Sequence, residues 1–181
     1  MSNPYQTSDM NELNGPLLLN VTDKSMNFVR VAQIVTVALV LGASSFMTFA
    51  LLMNDGNLEF DFSNLAWFTL GFAALAIVLH VTIPPFVAHR ALAEIDFEAF
   101  AAANDDGKFE RLMPSFQSQH IVACALLEGA AFLNLALFQT NPFVGHLVAA
   151  AVLIGLIIVR FPTLRSVQAW MEAKSRLIPR G

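Results

Sequence analysis

The chain has 181 residues, of which 56% are hydrophobic and only 13% are charged, with a formal net charge of −4. A soluble domain carries about a quarter of its residues as charged ones, and one of this length could not hide so much apolar surface in a single core. The composition therefore excludes an ordinary soluble fold and predicts an all-α integral membrane protein. A single cysteine, Cys124, excludes a disulfide framework and a cysteine-pair zinc site.

The first 25 residues are rich in Asn, Ser, Thr and Asp, and they lack the basic and apolar regions of a cleavable signal peptide. We expect residues 1–25 to form a disordered tail on the cytoplasmic side, because they offer little apolar surface to bury.

Four long apolar segments follow, each near the ~20 residues with which a helix crosses a bilayer core of ~30 Å. They predict a transmembrane domain over residues 26–160 that is a bundle of four helices. The predicted helices cover about 28–53, 65–87, 121–139 and 143–159. Because only residues 140–142 separate the last two, these helices should be antiparallel neighbours.

The central loop contains good helix formers over residues 90–103, which predict an extension of the second helix into the cytoplasm. We expect this extension to end at Asn104-Asp105-Asp106-Gly107. Pro84 and Pro85 should kink or interrupt the second helix near its cytoplasmic end and free backbone carbonyls there.

All ten Lys and Arg residues lie before or in the first turn of the first helix, in the central loop, or after the fourth helix. The positive-inside rule therefore predicts a multi-pass protein of an inner or plasma membrane with both termini in the cytoplasm. The last segment, residues 161–181, is basic and amphipathic, so we expect it to lie on anionic lipid rather than to bind nucleic acid. Its predicted headgroup contacts are Arg165, Trp170, Lys174 and Arg176.

Glu128 lies near the middle of the third apolar segment, in which there is no basic residue. An ionised carboxylate at mid-bilayer costs ~2.5–3.5 kcal/mol on insertion scales, and burial disfavours the charged form. Two interpretations follow. Glu128 binds or exchanges a proton or cation, or it is a neutral hydrogen-bond donor that locks the bundle of a non-transporting scaffold or assembly protein.

His80 is the predicted polar partner, because Glu128 should lie ~15 Å and His80 ~10 Å from the cytoplasmic side on neighbouring helices. A polar track across the bundle is a further hypothesis, although such residues also serve as hydrogen bonds between helices. Its residues would be Ser44, Ser45, Thr69 and Asn134. The small residues 129–131 favour close helix packing, and a homo-oligomer is possible.

His80 and His120 fall in the same half of the bilayer on adjacent helices, so ligation of a b-type haem is another alternative. No haem-attachment motif supports it, and no other cofactor is indicated. Nucleophile, phosphate-loop and metalloprotease motifs are absent from the sequence, so no enzymatic activity is predicted.

Residues 125–130 (ALLEGA), followed by residues 141–144 (NPFV), resemble the second helix of the proteolipid c subunit of rotary ATP synthases. The resemblance covers Lys108–Val144. In that family, a carboxyl group midway along the second helix carries the translocated proton or sodium ion. The resemblance implies that Glu128 is the ion-carrying residue and that the predicted second and third helices form the hairpin.

Overall fold

The computed structural model describes residues 23–60 and 64–176, and all regular elements of this part are helices. The tail prediction over residues 1–22 lies outside the described residues, while residues 23–25 already belong to the first helix. The helices are α1 (Asp23–Met53), α2 (Asn64–Ala93), α3 (Phe97–Ala101), α4 (Asp105–Phe138), α5 (Val144–Val159) and α6 (Leu164–Ser175).

Three of these helices, α1, α2 and α4, are long and apolar enough to cross a membrane. A fourth span results if α5 and α6 are counted as one helix pair, bent by 75°. The 16 residues of α5 alone extend ~24 Å, less than a bilayer core of ~30 Å. Large apolar side chains point outward along these helices, which suits lipid rather than water as the solvent. Examples are Ile34, Leu52, Trp67 and Phe86. The all-α prediction is confirmed, and the apolar helices indicate a multi-pass membrane protein.

Helix α4 is central and packs against α1, α2 and α5. Alanines fill much of the shared core, so the helices can approach one another closely. Close packing matters in a membrane because the hydrophobic effect does not drive helices together in lipid. The buried alanines include Ala43, Ala73, Ala76, Ala130, Ala131 and Ala150. Side-chain contacts of Thr36 with His120 and of Phe46 with Phe132 fix α1 and α4 as parallel neighbours.

The bundle has two unlike ends. We call the end that carries α6 the α6 end, and the end with the α4–α5 connection the turn end. At the turn end, the backbone of Glu59 in the α1–α2 loop forms hydrogen bonds of 2.8 and 2.9 Å with Pro142 and Val144. At the α6 end, Val167 and Met171 pack into a second apolar cluster with residues of α1, α2, α3 and α4.

The central loop differs from the predicted extension of the second helix. Helix α2 ends at Ala93, and α3 is a separate short helix whose first N–H groups bond the side chain of Asp96. Asn104 begins a helix rather than ending one, because its side chain accepts a hydrogen bond of 3.0 Å from the Gly107 N–H. Helix α4 therefore runs for 34 residues and starts well before the predicted residue 121.

Helix α2 continues through Pro84 and Pro85, so of the predicted kink or interruption it shows no interruption. Pro84 has no N–H, which leaves the carbonyl oxygen of His80 without its helical donor. The Nη2 atom of Arg160 approaches this oxygen at 3.5 Å. A side chain from another helix thus compensates the freed carbonyl, as membrane helices with internal prolines require.

Candidate functional site

Arg160 stands directly after α5 and joins it to α2. Its Nε donates a hydrogen bond of 2.8 Å to Nε2 of His80. Since a guanidinium only donates, Nε2 of His80 must accept, and the His80 ring is neutral with its proton on Nδ1. That Nδ1 donates to the carbonyl oxygen of Ala123 at 3.1 Å. His80 is therefore held between the end of α5 and the middle of α4.

His120, on α4, is buried and bonded to α1. Its Nε2 lies 2.7 Å from Oγ1 of Thr36, and the same hydroxyl donates to the carbonyl of Ala32 at 2.8 Å. Because a hydroxyl has one proton to donate, Nε2–H of His120 donates to Thr36. Phe116 stacks on the ring, with a centroid distance of 5.9 Å and an interplanar angle of 8°.

A cavity of about 240 Å³ opens at the α6 end beside these groups. Its polar walls are Gln119, His120, Arg160 and Ser166. Trp170 of α6 also lines it, and its Nε1 donates a hydrogen bond of 2.8 Å to Oε1 of Gln119. The cavity therefore lies where α4, the end of α5 and α6 meet.

The Glu128 carboxyl is half-buried and has no hydrogen-bond or ion-pair partner among residues 23–60 and 64–176. It lies five residues beyond Ala123, or ~7.5 Å further along α4. The predicted pairing with His80 is not found, because both ring nitrogens of His80 bond other groups. On α1, the contacts of Thr36 and Phe46 with α4 put Glu128 near the level of Ala43.

His120, Cys124 and Glu128 follow one another at four-residue intervals on α4, a spacing that puts neighbours on one helix face. The Cys124 Sγ lies 3.7 Å from Nε2 of His120. The three side chains therefore share one face of α4 between the cavity wall and Glu128, over two helical turns, ~12 Å. This four-residue spacing is readable from the sequence, although the three residues were interpreted there one by one.

The turn end holds a second buried histidine, His146. Its Nδ1 lies 3.0 Å from Oγ1 of Thr69, whose own proton goes to carbonyls of α2. Nδ1–H of His146 is therefore the donor. Nε2 of His146 and Oδ1 of Asn134 are buried and have no hydrogen-bond partner within the described part of the chain.

The residues of the predicted polar track are not brought together around Glu128. Thr69 and Asn134 are fully buried near the turn end, whereas Ser44 is half-buried and Ser45 is exposed on α1. In the described ranges, no hydrogen bond links any of these side chains to Glu128.

In the haem alternative, the two ligands would be histidines that already form hydrogen bonds within the protein. A haem between α2 and α4 would have to break the bonds of His80 to Arg160 and Ala123, so the geometry does not favour ligation by His80 and His120. Over residues 23–60 and 64–176, no group of three or more His, Cys, Asp or Glu side chains could hold a metal ion.

The predicted lipid contacts divide into two kinds. Trp170 is half-buried and packs edge-on against Phe116 at a centroid distance of 5.4 Å, so it faces protein. Arg165 and Arg176 are exposed and Lys174 is half-buried, and contact of these three with anionic headgroups stays a prediction.

Comparison with known proteins gives no relative: no family model, curated protein or solved structure matches the chain. The resemblance of Lys108–Val144 to the proteolipid c subunit therefore depends on those residues alone, and function has to be argued from the site.

Proposed function

We propose that the chain is a four-span membrane protein with its α6 end in the cytoplasm, and that it takes up and releases a proton at Glu128 from that side. The observation that carries the proposal is the unpartnered Glu128 carboxyl, two turns along one helix face from His120 in the cavity wall. The resemblance to the proteolipid c subunit points to the same residue.

The distribution of charge supports this orientation. The α6 end carries the basic side chains, and the α1–α2 loop at the turn end has acidic ones, Asp55 and Glu59. Under the positive-inside rule, the basic end belongs in the cytoplasm. The bend of 75° between α5 and α6 then turns α6 toward the membrane surface and leaves α5 as a short fourth span.

A proton fits Glu128 better than a metal cation does. Hard metal ions take several oxygen ligands at once, and no second ligand contacts the Glu128 carboxyl within the described residues. A proton needs one carboxyl and a route. Because the membrane interior disfavours the charged carboxylate, Glu128 gains from holding the proton.

His120 provides the step between the cavity and Glu128. Its Nε2–H is held by Thr36, which leaves the Nδ1 lone pair to accept a proton from water in the cavity. As Nδ1 takes up this proton, the ring releases its Nε2 proton toward Glu128 and returns to the neutral state, which is the behaviour of a proton shuttle.

Proton exchange at Glu128 in the reconstituted protein tests the proposal. Infrared difference spectroscopy would follow the C=O stretch of a protonated carboxyl in apolar surroundings after an external acid jump. We expect Glu128→Gln to abolish this carboxyl band and His120→Gln to slow its appearance, while Glu94→Gln, at an exposed position after α2, leaves it unchanged. The same band in wild type and Glu128→Gln would refute the proposal and favour a scaffold protein in which Glu128 is structural.

A further inference from the structure

The walls of the α6-end cavity contain functional groups that the entry of a proton does not require. Proton entry needs only water beside His120, yet the walls also contain an arginine, an amide and a set of large apolar side chains. The apolar walls are Phe116, Val159, Phe161 and Trp170. A site with one charged side and one apolar side is built for an amphipathic ligand.

The charge of Arg160 is not compensated. Its guanidinium is half-buried, and in the described part of the chain it forms no ion pair with a carboxylate. Its hydrogen-bonded neighbour, His80, is neutral because Nε2 accepts from it. None of the residues lining the cavity is acidic. A partly buried cation without a counter-ion is costly, so the site favours an anion.

Hydrogen-bond donors remain at the same place. A guanidinium has five N–H groups, and the two contacts with His80 leave three. Trp170 Nε1 can only donate, so its 2.8 Å bond fixes the carbonyl oxygen of Gln119 as the acceptor. The amide NH₂ of Gln119 therefore remains as a donor. Arg160 is also held in position by His80, whose carbonyl is accessible because of Pro84.

We propose that the α6-end cavity binds a phosphate group at Arg160 and Gln119, with the apolar walls covering the first carbons of the molecule that carries it. Arginine recognises phosphate through paired N–H donors, more specifically than a point charge does. The volume of about 240 Å³ lies below the ~300–1,000 Å³ typical of pockets for drug-sized ligands. It suits a phosphate ester headgroup.

Two sources offer this chemistry, a phospholipid headgroup and a free phosphate ester. The test uses Trp170 as a fluorescent reporter inside the cavity, after Trp67→Phe has removed the other tryptophan. The full chain in detergent would be titrated with dihexanoyl phosphatidic acid, with glycerol 3-phosphate and with hexanoic acid. We expect both phosphate compounds to change Trp170 emission saturably. Tighter binding of the lipid identifies a headgroup site, and equal binding identifies a site for soluble phosphate esters.

Matched variants decide whether Arg160 makes the site. Arg160→Gln should weaken phosphate binding about tenfold or more, whereas Arg165→Gln, five residues further on and exposed, should leave it unchanged. Val159→Phe narrows the cavity without touching the core, since Val159 is 82% exposed, and should also weaken binding. An equal loss in Arg160→Gln and Arg165→Gln would show surface attraction only. That result would overturn the proposal. So would Trp170 emission that shows no saturable change with the phosphate compounds, or tighter binding of hexanoic acid than of either phosphate compound.

Discussion

At the α6 end of the bundle, His80 uses both ring nitrogens, one on Arg160 and one on the carbonyl of Ala123, and a cavity opens beside it. At the turn end, His146 uses one ring nitrogen on Thr69, and its Nε2 is buried without a partner in the described part of the chain. Burying a polar group costs free energy unless it is paired. The polar groups of the α6 end thus form a preorganised site beside a cavity, whereas the turn end leaves buried polar atoms without a partner in the described part of the chain.

The backbone explains why the two ends differ. Pro84 removes one helical hydrogen bond at the α6 end and so provides a carbonyl acceptor for an arginine from another helix. At the turn end, the short α4–α5 connection is tied to Glu59 by two backbone hydrogen bonds. The cavity at the α6 end lies on the side from which the proposed uptake and release of a proton at Glu128 would occur.

His80→Ala should have the largest effect on stability, because it deprives a half-buried guanidinium of its acceptor. Hydrogen bonds to charged groups contribute about 2 kcal/mol, so we expect the free energy of unfolding to fall by about that amount. Unfolding in detergent, followed by circular dichroism, would measure it. His89→Ala is the control, since His89 lies on the same helix and is exposed. Equal losses in the two variants would contradict the role given to Arg160.

Thr69→Val should cost less, about 1 kcal/mol, because it removes one neutral hydrogen bond, that to His146. The same unfolding assay applies. A loss as large as that of His80→Ala would show that the turn end depends on its polar groups as strongly as the α6 end does.

Asn134→Leu should leave stability unchanged or raise it by up to about 1 kcal/mol, since it removes an unpartnered buried oxygen. Its amide nitrogen donates only to the carbonyl of Ala130 in its own helix. Thr69→Val is the matched comparison at the same end. A clear loss of stability would instead mean that an ordered water satisfies the Asn134 oxygen.

Pro84→Ala should have the smallest effect on stability, within about 0.5 kcal/mol, because the restored N–H would satisfy the His80 carbonyl in place of Arg160. Phosphate binding should weaken by about threefold, as Arg160 loses one of its two contacts with His80. Pro85→Ala is the control, because no contact with Arg160 involves the carbonyl that it would restore. Equal binding by both variants would contradict the link between Pro84 and Arg160.

Much of the architecture was predictable from the sequence, because length and hydropathy dictate helices in lipid and a turn of a few residues fixes antiparallel neighbours. The geometry of the candidate site was less predictable from the sequence. Counting residues gives the depth of His80 but not its direction around the helix, and nothing local indicates that its partner is Arg160, eighty positions away. The sequence also left open what covers the apolar side of helix α6. The amphipathic pattern of Val167 and Met171 is the same whether lipid or protein covers it, and here protein does.

The most direct test of the central claim is labelling of Glu128 with dicyclohexylcarbodiimide in intact membranes across a range of pH, with the modified peptide identified by mass spectrometry. This reagent attacks protonated carboxyl groups in apolar surroundings. The proposal predicts that Glu128 is labelled at low pH and that labelling falls through a definable midpoint as pH rises. Absence of labelling at every pH would show a Glu128 that exchanges no proton with water, and would contradict proton uptake at this residue.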